Sequence, residues 1–386
     1  MPEPDIRVKL LIGKTIPRPA PYEVIDALID LEVTQQDRDR SGFQMTFSLS
    51  KELKNFSDYW LLRKGILDPP NRIIIQVIVN VKVGVNRSFQ SPILIDGIIT
   101  DHQIAPSNQP GESRLIVTGE DISLMLDLED KNETYLNLSD SKIVNKILNK
   151  YKIKYGLTLD VQDTTKYFSP NQQEQITTQQ STDLQFIQKL AIRNSFIFEI
   201  KPAKTPGTNI AYWGEEKDKV TPAQPALSMN MGAFTNVDSS ISFNFNALEA
   251  IKPQASVSDE KTGASIPIQV LKSPSQALAS KAAKFLRKEV LRCTNKLEKI
   301  LAQKETESFA SRSQENAVTA TGEVDTVRYG YVLEVRQLVG VRGVGKTYGG
   351  YYYVKQVTHR IKRGEYKQSF TLKREGQGAT IQMLQV

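Results

Sequence analysis

The stretch Gly340-Val-Arg-Gly-Val-Gly-Lys346-Thr347 satisfies the phosphate-loop pattern G-x-x-x-x-G-K-[ST] letter for letter, and its reading decides the fold. A working phosphate loop feeds a helix whose N-terminal N–H groups and dipole hold the anion. Here the following residues are Tyr348-Gly-Gly-Tyr-Tyr-Tyr-Val354-Lys-Gln-Val357-Thr-His-Arg-Ile361, then Lys362-Arg-Gly-Glu-Tyr366-Lys-Gln-Ser-Phe370-Thr-Leu372. β-Branched and aromatic residues on both sides of Gly364 are the signature of a hairpin. Fewer than forty residues follow Thr347, too few to complete a nucleotide-binding domain. Gly340, Gly345, Lys346 and Thr347 therefore read as a chance match in a glycine-rich turn, and no cofactor is expected.

Working outward, sheet dominates. Phe43, Met45, Phe47 and Leu49 alternate with polar residues, giving one buried and one wet face. Ile73, Ile75, Val77, Val79 and Val81 form a β-branched file, and Ile93–Thr100 is a strand interrupted by Gly97, which suggests a bulge or corner. Arg114–Thr118 closes this set, while 56–70 reads as a short helix and loop stopped by Pro69-Pro70. Later strands are expected at Phe196–Ile200, Ile210–Trp213, Ser240–Asn246, Tyr329–Val341, Tyr351–Ile361 and Glu365–Lys373.

Helices interrupt the strands. Ser139 or Asp140 can cap one that carries Ile143, Val144, Ile147 and Leu148 on a single face. Thr182-x-x-Gln185 has the form of a capping box before Leu184, Ile187, Leu190 and Ala191. The stretch 161–181 reads as loop, 251–275 as linker, 275–303 as a longer basic helix and 304–322 as a polar, exposed segment. The expected class is mainly β with α insertions: two β-barrel-like domains, short helices and one longer basic helix. Expected boundaries are 1–125 for the first barrel, 126–205 for an α/β linking domain, 206–250 with 323–386 for the second barrel, and 251–322 for the insertion.

Composition narrows the chemistry. The chain has 386 residues, a net charge of +7 and two dense basic stretches. Residues 281–304 hold eight Lys/Arg against two Glu, and 341–375 hold nine against two. Such patches suit an acidic protein, a membrane surface or nucleic acid, but no helix-turn-helix, finger or RNP pattern supports specific base readout. One cysteine, Cys293, excludes an intrachain disulfide, and with only His102 and His359 beside it a Cys/His zinc site is not expected. Ser41, Ser181 and Ser195 sit in no nucleophile frame, and Asp127, Glu129 and Asp130 lack calcium-loop rhythm, reading instead as a solvated cap. No run reaches the roughly 18 apolar residues of a membrane span. Met1-Pro-Glu-Pro-Asp5 lacks the order of a secretory signal, so cytoplasmic synthesis is expected.

Three passages, in order, carry a family resemblance: Gly119-Glu-Asp-Ile-Ser-Leu-Met-Leu126 with the helix after Ser139, Ser181–Phe198, and Gly349–Ile361 continuing to Leu372. Together they resemble the baseplate hub of contractile phage tails and related injection systems, the late-control tail protein group, also seen as the hub portion of type VI spike proteins. The resemblance implies a homotrimeric, non-enzymatic ring that adapts a hexameric inner tube to a trimeric spike within a particle baseplate. It further implies a separate spike chain, since little sequence follows the last hub strand, and a contact with baseplate wedge proteins.

On that reading Phe43, Met45, Phe47, Ile75 and Val77 build the first barrel and Phe243, Phe245, Phe370 and Leu372 the second, with Tyr353 in a closing strand. Lys281, Lys284, Arg287, Lys288 and Arg292 face an acidic neighbour, and Arg342, Lys346, Arg360, Arg363 and Lys367 rim or line the channel. Alternatives are a nucleotide-dependent enzyme using 340–347, a basic nucleic-acid-binding module, or an unrelated all-β assembly protein.

Overall fold

The computed structural model describes residues 6–52, 55–83, 86–109, 111–165, 176–215, 223–258, 262–268, 277–291 and 299–380. Strand accounts for 50% and helix for 21%, so the class is mainly β with helical insertions. One sheet runs through the molecule. Its strands lie in the order Ser242–Phe245, Val318–Asp325, Glu365–Arg374, Gly350–Lys362, Leu28–Gln36, Gly42–Ser48, Arg114–Asp121, Ile93–Ala105, Arg72–Val83, Ile6–Gly13 and Arg18–Pro19. The ends of the chain thus meet in mid-sheet. Neither half closes into a barrel among the described residues. The strand Val318–Asp325 also runs across the expected boundary at 322–323.

The seam between the halves is the long strand Gly350–Lys362. Its first residues pair with Leu338–Arg342, from Gly350↔Val341 to Tyr353↔Leu338, and its later ones with Leu28–Gln36, from Gln356↔Gln36 to Lys362↔Asp30. An irregularity in its pairing with Glu365–Arg374 falls between Val354 and Gln356, where the partner on the opposite edge changes. Bulges bend a strand in this way.

Alternation decides what each half buries. Ile75 stands in register between Leu10 and Ile95, and Phe47 between Leu28 and Leu115, all within the first core. Phe370 and Leu372 enter a second core with Val318, Val357 and Tyr352. Each half seats an aromatic ring over a glycine of the next strand. A Cβ on Gly119 would lie 2.4 Å from the tip of Phe43, and one on Gly322 would lie 2.7 Å from the tip of Phe370. Full burial of such a ring contributes roughly 1.5–3 kcal/mol.

A third core belongs to an α/β unit. Helix Asp140–Tyr155 buries Ile143, Val144, Ile147 and Leu148 and ends at Gly156, whose φ of 63° is the left-handed value that favours glycine. Helix Asp183–Arg193 starts with Thr182 Oγ1 accepting from the Gln185 N–H at 3.3 Å. Both pack with Trp213 on the strands Leu157–Val161, Asn209–Glu215 and Phe196–Pro202. The expected loop at 161–181 ends instead as a strand, Ile176–Thr182, paired with Asp130–Leu136.

The basic segment departs from expectation. Of the expected helix over 275–303, the described residues form two short strands, Ala279–Ala282 and Arg287–Val290, and the first turn of a helix, Lys299–Glu315, while 275, 276 and 292–298 lie outside the described residues. Ala279–Ala282 pairs with Gly376–Ala379, and Arg287–Val290 lies parallel to Ile251–Ser258 inside the supposed linker. Backbone pairing to these distant strands overrides a local preference that Ala, Leu and Lys would otherwise express as helix. The expected exposed segment at 304–322 is helix followed by Val318–Asp325. In the stretch 329–341, the strand is confined to Leu338–Arg342.

Candidate functional site

The phosphate-loop look-alike is a hairpin connection. Leu338–Arg342 and Gly350–Lys362 run antiparallel on either side of it. Inside the turn, Arg374, 1% exposed, donates from Nη1 to Gly349 O at 2.9 Å, from Nη2 to Thr347 O at 3.1 Å and from Nε to Gly376 O at 2.9 Å. Its guanidinium lies 4.3 Å from the centre of the Tyr352 ring. The Gly378 N–H also donates to Thr347 O, at 2.8 Å. A phosphate cradle must offer N–H groups, whereas this turn offers carbonyls to a buried cation. Gly343 is required for a steric reason, since a Cβ there would sit 1.6 Å from Met229 O. Lys346 and Thr347 are exposed.

At the seam the polar residues are buried and matched. His359 is fully buried, with Nδ1 2.9 Å from the Tyr366 hydroxyl and Nε2 3.2 Å from Gln35 Oε1, while Gln35 Nε2 donates to Leu94 O at 2.7 Å. Since the Gln35 oxygen can only accept, Nε2 carries the proton and Nδ1 accepts from Tyr366. Burial pushes the His359 pKa down to about 3, so the ring is a neutral spacer rather than a base. Further along the same two strands, where Lys373 stands in register with Tyr353, Lys373 Nζ meets Asp37 at 2.8 Å and Glu315 at 3.4 Å, and lies 4.6 Å from the Tyr353 ring centre. One ammonium therefore joins the second half, the first half and the helix Lys299–Glu315.

A comparable knot fixes the α/β unit. Arg72 grips Asp96 with two hydrogen bonds, Nε to Oδ1 at 2.8 Å and Nη2 to Oδ2 at 2.6 Å, and Nη2 reaches the carbonyls of Tyr155 and Gly207, each at 3.2 Å. Asn209 Nδ2 donates to the same Asp96 at 2.9 Å. Asp183, which follows the capping Thr182, is also buried. Burial alone would raise its carboxyl, but hydrogen bonds from Gln179, Lys131 and Tyr151 hold it below the ordinary carboxylate value. Asp127 differs from its expected role as a solvated cap: it takes Arg40 Nη2 at 2.5 Å and Thr182 Oγ1 at 2.6 Å. Sequence reasoning missed Arg72, Asp96 and Lys373 because a charged residue inside an apolar strand reads locally as an outward-facing one.

The predicted site residues separate into three groups. Phe43, Phe47, Ile75, Tyr353 and Phe370 are buried, while Phe243 is half-buried and stacks on Tyr348 at 4.8 Å. Phe245, expected in the second core, is 40% exposed because its strand lies at the end of the sheet, paired among the described residues only with Val318–Asp325. Among the presumed channel cations, Arg360 is paired with Glu32 at 3.0 Å, Arg363 with Asp26 at 3.2 Å, and Lys367 with Glu323 at 3.3 Å. Lys281, Lys284, Arg287 and Lys288 are exposed; Arg292 and Cys293 lie outside the described residues. Among the described residues, no group of His, Cys, Asp and Glu is placed to hold a metal ion, and no helix is long and apolar enough to cross a membrane.

The architecture has known counterparts. The tail protein of Neisseria meningitidis MC58 superposes with a TM-score of 0.61 at 11% identity, over 97% of this chain and 98% of that one. The 43 kDa tail protein of prophage MuSo2 from Shewanella oneidensis gives 0.58 at 13% identity, over 95% and 98%. A chain of the Francisella PdpA–VgrG complex gives 0.58 at 12% identity, over 99% of this chain and 60% of that one. At these identities the likeness establishes the fold, which is shared with these phage-tail proteins and with the chain of the VgrG complex, as the resemblance implied. No curated protein sequence matches the chain. A sequence family described as the Alg8 N-terminal domain matches residues 76–363, more than half of the whole, and the chain belongs to that family.

Proposed function

We propose that this chain is a structural hub subunit of a phage tail or contractile injection system, a non-enzymatic homotrimer that joins a hexameric inner tube to a trimeric spike. The reading is supported above all by the continuous sheet, which carries two halves side by side and follows the tail proteins over nearly the whole chain. Three copies of a two-half subunit present six sheet segments, which matches a sixfold tube while keeping threefold symmetry for the spike. Buried charges at Lys373 and Arg72 would hold the halves and the α/β unit as one body under the load of contraction. The ion pairs of Arg360, Arg363 and Lys367 would leave that face polar but nearly balanced in charge, suited to passage rather than retention. Specific nucleic-acid binding and stable membrane insertion form no part of this role.

Single-particle electron microscopy of the protein co-expressed with candidate tube and spike chains tests the proposal. The expected result is a threefold ring with six similar sheet segments between tube and spike. A monodisperse monomer that binds neither partner overturns it, and saturable ATP binding lost in Lys346→Ala would revive the nucleotide reading.

A further inference from the structure

The ribbon Lys281–Val290 is built unlike the rest of the molecule. It carries Lys281, Lys284, Arg287 and Lys288 against a single carboxylate, Glu289. All four cations are exposed, together with Phe285, Leu286 and Val290, the last two at 62% and 64%. Yet the ribbon is anchored at both ends. At its start the Ala283 N–H donates to Glu375 O at 2.8 Å, and Ala283 O accepts from Gln314 Nε2 at 2.7 Å. At its far end the Leu291 N–H donates to Gln254 O at 2.8 Å.

Among the described residues Arg287–Val290 is an edge strand of its small sheet, in the order Ser265–Ile268, Ile251–Ser258, Arg287–Val290. Both of its faces meet solvent, because Arg287 on one and Lys288 and Val290 on the other are all exposed. In register, Lys288 lies opposite Lys252, also exposed. Like charges on adjacent strands disfavour the pairing. Among the described residues only Arg287 has an acidic partner, Glu289 at 3.1 Å, and Lys252, Lys281, Lys284 and Lys288 have none. Natural sheets protect such edges or use them.

We propose that Arg287–Val290 is a docking edge for an extended acidic segment of another protein, which adds a strand there. Its carboxylates would neutralise Lys252, Lys284, Arg287 and Lys288, and its apolar side chains would cover Leu286 and Val290. A membrane surface needs apolar and basic residues segregated to opposite faces, and here Lys288 and Val290 share one. A nucleic acid would leave the strand's edge N–H and C=O groups unmatched and would meet Glu289. The inference does not rest on the hub proposal, and either can fail alone.

The test uses the full chain and fluorescence anisotropy with a labelled peptide of alternating glutamate and valine. Saturable binding is expected, falling about tenfold or more in the combined variant Lys284→Glu, Arg287→Glu, Lys288→Glu, a loss of roughly 1.4 kcal/mol or more. Lys288→Gln alone is expected to weaken it less. A peptide N-methylated on alternate amides should also bind at least about tenfold more weakly. Absence of saturable binding overturns the proposal, as does equal binding of the methylated peptide, which would indicate charge attraction alone. Preferential binding of oligothymidylate or of phosphatidylserine vesicles overturns it in favour of those partners.

Discussion

The seam between the halves and the ribbon Lys281–Val290 use the same kinds of residue in opposite ways. At the seam Lys373 is 2% exposed and held by two carboxylates, and even the neutral His359 has a partner on each ring nitrogen. In the ribbon the cations face solvent, and Lys288 is left opposite Lys252. A buried charge without a partner costs several kcal/mol, whereas an exposed one costs almost nothing. The seam therefore had to be completed within the chain, while the ribbon can be left for another molecule to complete.

The strongest way to break this contrast is to strip a buried pair. In Asp96→Ala, Arg72 keeps only carbonyl partners, with its charge uncompensated in the interior. Denaturant unfolding should show a loss of about 3–5 kcal/mol. A loss within the range of a surface substitution would mean that water reaches Arg72.

The turn at 343–349 allows the contrast to be made within a few ångströms. Arg374→Met removes the donor shared by Gly349, Thr347 and Gly376, and should cost about 1–3 kcal/mol in the same measurement. Lys346→Ala, on the exposed side of that turn, should leave the midpoint within about 0.5 kcal/mol of the parent. A reversal of this order would mean that Lys346, and not Arg374, holds the turn.

His359 gives the seam a pH dependence. An unfolded histidine titrates near 6.5, as in model peptides, while burial holds the folded ring at about 3. Between those values the unfolded chain binds a proton that the folded one refuses. The stability owed to the neutral ring is thus complete above the unfolded value and drains away as pH falls toward the folded one. His359→Gln keeps an acceptor for Tyr366 and removes the titration. Between about pH 6 and about pH 4.5 the parent should lose up to about 1.4 kcal/mol per pH unit more than the variant. Parallel pH profiles would show that water enters the seam.

What the sequence disclosed follows the same division. Gly42–Ser48, Gly350–Lys362 and Glu365–Arg374 were readable because alternation sets their buried face, and Asp183–Arg193 because its apolar stripe follows a cap. The pairing of Gly350–Lys362 with Leu28–Gln36 was not readable, since no local pattern links positions more than three hundred residues apart. The helix Lys299–Glu315 was hidden by its chemistry: its buried face is Ala302, Thr306, Ala310 and Gln314, small or polar at every fourth position. Upstream, Ala279–Ala282 and Arg287–Val290 pair as strands within a stretch whose apolar residues stand at helical spacing, so period pointed one way and tertiary pairing the other. The cations of the ribbon were visible, but their exposed edge depended on that pairing.

The smallest effect is the most diagnostic for the ribbon. Reversing Lys284, Arg287 and Lys288 to glutamate changes three exposed side chains and removes the like-charge contact between Lys288 and Lys252. It also gives up the Arg287–Glu289 pair and sets glutamates at 287 and 288 beside Glu289, so the two terms oppose one another. The unfolding free energy of the isolated chain should stay within about 0.5 kcal/mol of the parent. A loss as large as that expected for Asp96→Ala would mean that these cations already have partners within the chain, and the ribbon would then be a second seam rather than an open edge.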